Sequence, residues 1–164
     1  MEEQVATPES PEIKIIKITN PVWVGYLADA IREFCEKVHV PTIRYETLYS
    51  YLANVVQYGG ASAELWVAHV DGDFKPIAFA EWHVKGLPHI GAAEIGYIYS
   101  WNRAKVPVGL LIDQFLTFAA DNRCRYYSGD LINEAVWKVF NRAASERGIK
   151  LERTGLINFI GSKG

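Results

Sequence analysis

The sequence predicts a mixed α/β fold of the α+β kind: a sheet of mixed strand direction with helices on both faces, in the order β-α-α-β-β-β-α-β-α-β. Three observations lead there. The stretch Glu94–Ala119 reads as a strand, a short basic turn and a helix. Two strand-like runs before it, Glu64–Val70 and Lys75–Val84, are joined by Asp71-Gly72-Asp73, a strong hairpin signal. A hairpin requires antiparallel pairing, whereas strand, helix and strand in succession imply a parallel crossover, so the sheet is mixed.

Taken in order, Met1–Pro11 carries two prolines and three glutamates and reads as a flexible tail ahead of one domain, residues 12–164. Ile13–Ile18 is a first strand. Asn20-Pro21 supplies an N-cap followed by proline at the first helical position. Val24, Leu27, Ile31, Phe34, Cys35 and Val38 then form one apolar stripe, and Pro41 stops the helix. A second helix is predicted over Thr42–Gln57, with Tyr45, Leu48, Tyr49, Leu52, Val55 and Val56 inside and Gly59-Gly60 ending it. In Lys75–Val84, Ala78, Ala80, Trp82 and Val84 share one face, and Phe79, Glu81 and His83 the other.

Gly86–Gly91 is a loop. In the strand that follows, Ile95, Tyr97, Tyr99 and Trp101 alternate with Glu94, Gly96, Ile98 and Ser100. The turn Asn102–Lys105 leads to Pro107, which suits a first helical turn, and Val108, Leu111, Ile112, Phe115, Leu116 and Ala119 mark the buried face. Arg125–Ser128 is a short strand. Asn133 caps a last helix with Val136, Val139, Phe140 and Ala143 inward and Gly148 at its end. Ile149–Gly161 is strand-like but interrupted at Thr154-Gly155.

Composition narrows the function. A net charge of −2 argues against a general nucleic-acid or membrane-surface binder, which needs clustered positive charge. No apolar run approaches membrane-spanning length, and the acidic N-terminus has no apolar signal core, so a cytoplasmic setting is expected. The two cysteines, Cys35 and Cys124, lie far apart and suggest neither a zinc site nor a disulfide. His69 and His89 show no metal-ligand spacing. Strand, basic turn and helix N-terminus together form an anion-binding arrangement, because free amides and the positive end of the helix dipole face the turn.

With that turn in the middle, the element order resembles the GCN5-related N-acetyltransferase (GNAT) superfamily over roughly Ile13 to the C-terminus. Degenerate members of this kind are similar to acetyltransferase-like proteins of bacteriophages. The family motif Q/R-x-x-G-x-G/A falls on Arg103–Val108: Arg103 matches, and Leu111 matches the family's following leucine. Val106 and Val108 stand where the motif has glycine, and Pro107 contributes no amide. In the family's N-x-x-A-x-x-x-Y, Asn133 matches, Val136 takes the alanine position, and Phe140 takes the tyrosine's, without a proton to give.

The resemblance implies acetyl-CoA as cofactor, contacted by Tyr99, Trp101, Arg103, Lys105, Val106, Val108, Gly109 and Asn133. It implies an amine-bearing acceptor, a small molecule or a protein. Glu94, at the start of the fourth strand, is the candidate general base, with Glu81 as the alternative; Glu81 and His83 on the preceding strand point the same way. Tyr127, beside Tyr126 and Ser128 where parallel strands splay, is the candidate replacement for the lost acid. Each also has a structural reading: a solvated strand-end carboxylate, a packed tyrosine, a basic surface turn. Two functions remain open: an acyl-CoA-dependent N-acetyltransferase, or an inactive protein of this fold serving as a binding module. The family ends in two strands, and the residues left after the last helix hold one comfortably. A second is very short or comes from a second copy in a homodimer. If the motif register is right, Val106→Gly together with Val108→Gly raises acetyl-CoA affinity in isothermal titration; an unchanged or lower affinity counts against the register.

Overall fold

The computed structural model describes residues 12–38, 43–72, 75–86, 91–100, 107–130, 134–154 and 158–162. Its strands are β1 (Ile13–Lys17), β2 (Ala63–Val70), β3 (Lys75–Lys85), β4 (Ala92–Ser100), β5 (Tyr126–Asp130), β6 (Leu151–Arg153) and β7 (Asn158–Ser162). Among the described residues they form one sheet in the order β1-β2-β3-β4-β5-β7-β6. Only the β4–β5 pair is parallel, as the helical crossover between them requires. The sheet is thus mixed, as predicted. Both C-terminal strands come from the chain itself, and β6 is the very short one, three residues long.

The helices are α1 (Ala28–Val38), α2 (Tyr45–Tyr58), α3 (Val108–Asp121) and α4 (Glu134–Ser145). A 3-10 helix over Pro21–Leu27 replaces the start of the first predicted α-helix. Asn20 caps it as expected, its side chain accepting from the Val22 amide at 3.0 Å. After α2, Gly59 allows a close return of the chain: a Cβ there would lie 2.3 Å from the Val55 carbonyl oxygen and 2.8 Å from that of Ala63. Among the described residues, no helix is long and apolar enough to cross a membrane.

Helices cover both faces of the sheet, and each face buries its own core. On one side the 3-10 helix, α1 and α2 pack Val24, Leu27, Ile31, Phe34, Leu48, Leu52 and Val55 onto Leu65, Val67 and Phe79. On the other, α3 and α4 pack Leu111, Ile112, Phe115, Phe118, Trp137 and Phe140 onto Trp82 and Ile95. The inward face of α4 is rotated from the predicted one. Trp137, Phe140, Ala143 and Ala144 are buried, whereas Val139 is exposed, because the large indole of Trp137 claims the interior. The side chain of Val136 lies outside what is described.

One carboxylate ties β1, β2 and β3 together on the α3/α4 side. Glu64 Oε2 accepts from the indole nitrogens of Trp66 at 2.8 Å and Trp82 at 3.2 Å, and Oε1 from Lys17 at 2.8 Å. The two indoles stack at 6.0 Å. Burial pushes the Glu64 carboxyl up, but the hydrogen bonds from Lys17, Trp66 and Trp82 and the Lys17 charge outweigh it, and the net shift is downward. Glu64 therefore binds fewer protons folded than unfolded. Its contribution is present above its unfolded value of 4.5 and is lost as pH falls through the lowered folded value. Glu64→Ala leaves a buried indole donor without its acceptor and should cost about 2 kcal/mol in urea unfolding at neutral pH. A variant as stable as the parent would mean the indoles find other partners.

Candidate active site

The regular alternation predicted for Glu94–Trp101 is broken by a β-bulge. In the β3–β4 ladder Trp82 pairs with Ile95 and Glu81 with Tyr97, leaving Gly96 as the extra residue. Ile95 therefore faces the α3/α4 core, whereas Tyr97 and Tyr99 face α1 and α2. Sequence reading put all three on one side. A bulge cannot be seen in an alternation, though a glycine inside a strand is the usual signal for one.

The bulge sits where β4 and β5 part. Their pairing runs from Ala92↔Tyr126 to Ile95↔Gly129 and stops. From Gly96 to Ser100 the β5-facing edge of β4 has no strand partner among the described residues. Beyond residues 101–106, which lie outside the described residues, α3 begins with no side-chain cap and no acidic residue in its first turn. The Pro107 carbonyl accepts from Leu111, and the earlier amides of the helix have no intrahelical acceptor.

On the α1/α2 face of this fork, Glu81, His83 and Glu94 come together. His83 Nδ1 lies 2.9 Å from Glu81 Oε1, and its Nε2 lies 3.4 Å from Glu94 Oε1. Glu81 is wholly buried, the one polar residue in the described core. The Tyr51 hydroxyl of α2 donates to the same Oε1 at 2.8 Å, and Glu81 Oε2 has no partner among the described residues. Gly96 makes room for that oxygen, since a Cβ there would lie 2.1 Å from Glu81 Oε2 and 3.2 Å from the His83 ring. Glu94 is held from two sides: Lys85 Nζ and Ser128 Oγ each donate to its Oε2 at 3.0 Å. Neither Tyr51 nor Lys85 stands in a motif that marks it as a site residue. Tyr51 flanks the apolar stripe of α2 at three residues from Leu48 and four from Val55, the one sign that it faces the sheet.

The electrostatics follow from these contacts. The hydrogen bond to Glu81 raises the pKa of His83 above the ordinary 6.5; burial opposes it, and the charges of Glu81 and Glu94 reinforce it. Burial pushes Glu94 up, but hydrogen bonds from Lys85 and Ser128 and the charges of Lys85 and His83 hold it below the ordinary 4.5. Burial and the Glu81 carboxylate drive the Tyr51 phenol far upward, so it stays a donor.

Tyr127 is buried on the α3/α4 side, its ring 6.0 Å from Phe115, across the sheet from Glu81 and Glu94. Phe140 is buried in the same core. The Tyr99 ring packs 5.4 Å from Phe34 and 6.3 Å from Phe79, so its side chain belongs to the α1/α2 core. Val108 packs against the α3/α4 core. Gly109 lies at the α3 N-terminus, where its missing side chain leaves room for Arg147, whose guanidinium donates to the Gly109 carbonyl at 3.0 Å and also binds Asp113. Trp101, Arg103, Lys105, Val106 and Asn133 lie outside the described residues.

His83 carries a consequence for stability. A histidine whose pKa is raised by folding contributes stability that is fully present below 6.5 and is lost as pH rises through the folded value. Urea midpoints of the parent should fall as pH rises above 6.5 relative to His83→Gln. Parallel curves for the two proteins would disprove the ion pairing.

No protein-family model and no curated protein matches the sequence. Solved structures do match it in fold. A diaminobutyrate acetyltransferase from Paenibacillus lautus, solved with L-2,4-diaminobutyric acid and coenzyme A, superposes with a TM-score of 0.65 at 12% identity, over 93% of this chain and 96% of that one. A predicted acetyltransferase from Clostridium acetobutylicum, solved with acetyl-CoA, gives 0.62 at 14% identity, over 88% and 94%. A GNAT-family acetyltransferase from Staphylococcus aureus gives 0.64 at 11% identity, over 93% and 100%. At these identities the likeness is one of fold, and the chain has the fold of the GNAT acetyltransferases.

Proposed function

We propose that this chain is an acyl-CoA-dependent N-acetyltransferase that moves an acetyl group onto an amine, with Glu94 as the base that receives the amine's proton. The observation that carries the reading is the position of Glu94. It is a partly exposed carboxylate, its side chain 22% accessible, one residue before the last pair, Ile95↔Gly129, at which β4 and β5 separate. Crevices at such forks, beyond the carboxyl ends of parallel strands, are where open α/β sheets bind ligands. Structural neighbours solved with acetyl-CoA or coenzyme A support the choice of cofactor.

The described residues fit that cofactor. The edge of β4 over Gly96–Ser100, without a strand partner among the described residues, offers backbone groups to an extended, amide-bearing ligand, as a sheet edge does to an added strand. The α3 N-terminus, with free amides and no acidic side chain in its first turn, suits a phosphate end. From the sequence, Arg103 and Lys105 would add charge there and Asn133 a polar contact. Acetyl-CoA supplies an acetyl carbon activated as a thioester.

What the chain does is manage a proton. An amine reaches the site mostly as an ammonium and attacks only after losing a proton. Lys85 and Ser128 occupy Glu94 Oε2, so Oε1, with only the longer approach of His83, is the oxygen left to accept it. Neither residue named from the sequence takes the place of the family's tyrosine: Phe140 has no hydroxyl, and Tyr127 is across the sheet.

That last observation favours a second reading, a non-catalytic protein of this fold that binds a partner. Titration with acetyl-CoA separates the two. Heat of binding at cofactor concentrations up to about 1 mM is expected for the enzyme, and its complete absence would leave the binding module. With an active amine in hand, Glu94→Gln should lower kcat by about 100-fold while leaving KM for acetyl-CoA unchanged. A kcat within a few-fold of the parent would remove Glu94 as the base.

A further inference from the structure

Glu81 is harder to explain than Glu94. A carboxylate with no accessible surface and one bare oxygen is costly in a protein interior unless a positive charge sits beside it. The groups that face His83 and Glu81 can be named element by element. From β3 there is Lys85, which points at Glu94; from β4, Glu94 and Tyr97; from α2, Tyr51; from β5, Ser128, bonded to Glu94, with Asp130 near Lys85. Of the described groups, His83 alone both touches Glu81 and can carry a positive charge. Its two ring nitrogens meet two different carboxylates, the buried Glu81 and the partly exposed Glu94.

We propose that His83 and Glu81 form a proton relay behind Glu94: Glu81 fixes the His83 ring through Nδ1–H, and Nε2 takes the proton that Glu94 removes from the acceptor amine. The proposal rests on the acetyltransferase reading above and adds two residues to it. In the first step an N–H bond of the ammonium breaks and an O–H bond forms on Glu94 Oε1. In the second that O–H bond breaks and Nε2–H forms, leaving an imidazolium between two carboxylates and Glu94 ready again. Glu81 orients the ring and stabilises its charge, as the buried carboxylate of a hydrolase triad does. The proton then leaves to water, for the His83 side chain is 26% exposed. Glu94 alone is a poor proton store, being held low by Lys85 and Ser128, whereas His83 is held high, so transfer from the first to the second runs downhill.

Gly96 belongs to the same device. Its bare Cα leaves the space that Glu81 Oε2 occupies, and an alanine there would push on the flexible ends of Glu81 and His83 rather than on backbone. Gly96→Ala should thus keep the fold while disturbing the relay.

Two measurements on the full chain test this. In the first, the His83 ring signal is followed by NMR against pH, without cofactor. It should titrate above the ordinary histidine range, and Glu81→Gln and Glu94→Gln should each move the titration down; a titration indifferent to Glu94→Gln would overturn the coupling. In the second, kcat for acetylation of a primary amine is measured against pH. It should rise as His83 loses its resting proton. In His83→Gln that rising limb should be lost and kcat lowered, with KM for acetyl-CoA unchanged, and Gly96→Ala should lower kcat with its circular dichroism spectrum intact. An active His83→Gln enzyme with the parent's pH profile would overturn the relay and leave the acetyltransferase reading standing. A parent that acetylates no amine would overturn both as chemistry, and the NMR titration would then decide whether the three residues still share a proton.

Discussion

One extra residue in β4 determines how the rest of this site is built. Because Gly96 is unpaired in the β3–β4 ladder, the side-chain phase of β4 shifts there by one. Before it, Glu94 lies beside His83 on the α1/α2 face while Ile95 goes into the α3/α4 core; after it, Tyr97 and Tyr99 fall on the α1/α2 face. Beyond the same residue the pairing with β5 ends and the sheet forks. Being glycine, the bulged residue also leaves the space in which a buried carboxylate oxygen lies. Fork, polar cluster and, among the described residues, the strand edge without a partner all arise at that one place.

The two faces of the sheet divide the work. The α3/α4 face is filled with Trp82, Ile95, Leu111, Phe115 and Phe140, and among its buried residues the polar atoms are the tips of Tyr127 and of the indoles. Close packing there fixes the helix that follows the fork, and the Arg147–Asp113–Gly109 contacts fasten its first turns to the end of α4. A site that must hold an oriented ligand benefits from such rigidity. The α1/α2 face has a comparable apolar core, with Glu81 set at its edge under Tyr51. The balance at Glu81 is between loss of hydration and two hydrogen bonds to one oxygen, one of them from a ring able to take a positive charge.

Glu94 and Glu81 show how the same residue type serves different ends through its surroundings. Glu94 keeps some contact with water and is held by a lysine and a serine, which favour its ionised form. Glu81 has no accessible surface and depends on Tyr51 and His83. Placing a carboxylate behind a histidine, away from solvent, preserves the direction of its hydrogen bond, which a surface pair at high dielectric would not.

Much of this was legible in the sequence, because much of it is periodic. Hairpin chemistry at Asp71-Gly72, the apolar stripes of α1 to α3 and the strand-turn-helix of Glu94–Ala119 are local patterns that local physics enforces, and they set the element order and the mixed sheet. The spacing of Glu81 and His83 by two guaranteed that they share a face. The sequence did not determine the register shift at Gly96, the rotation of α4 about Trp137, or the removal of Tyr127 to the far side of the sheet. Nor did it bring Tyr51, thirty positions from Glu81, onto that carboxylate. These were decided by tertiary structure, because each is a contest for space between elements distant in sequence: a bulge is settled by the neighbouring strand, and a helix face by the largest side chain the core admits.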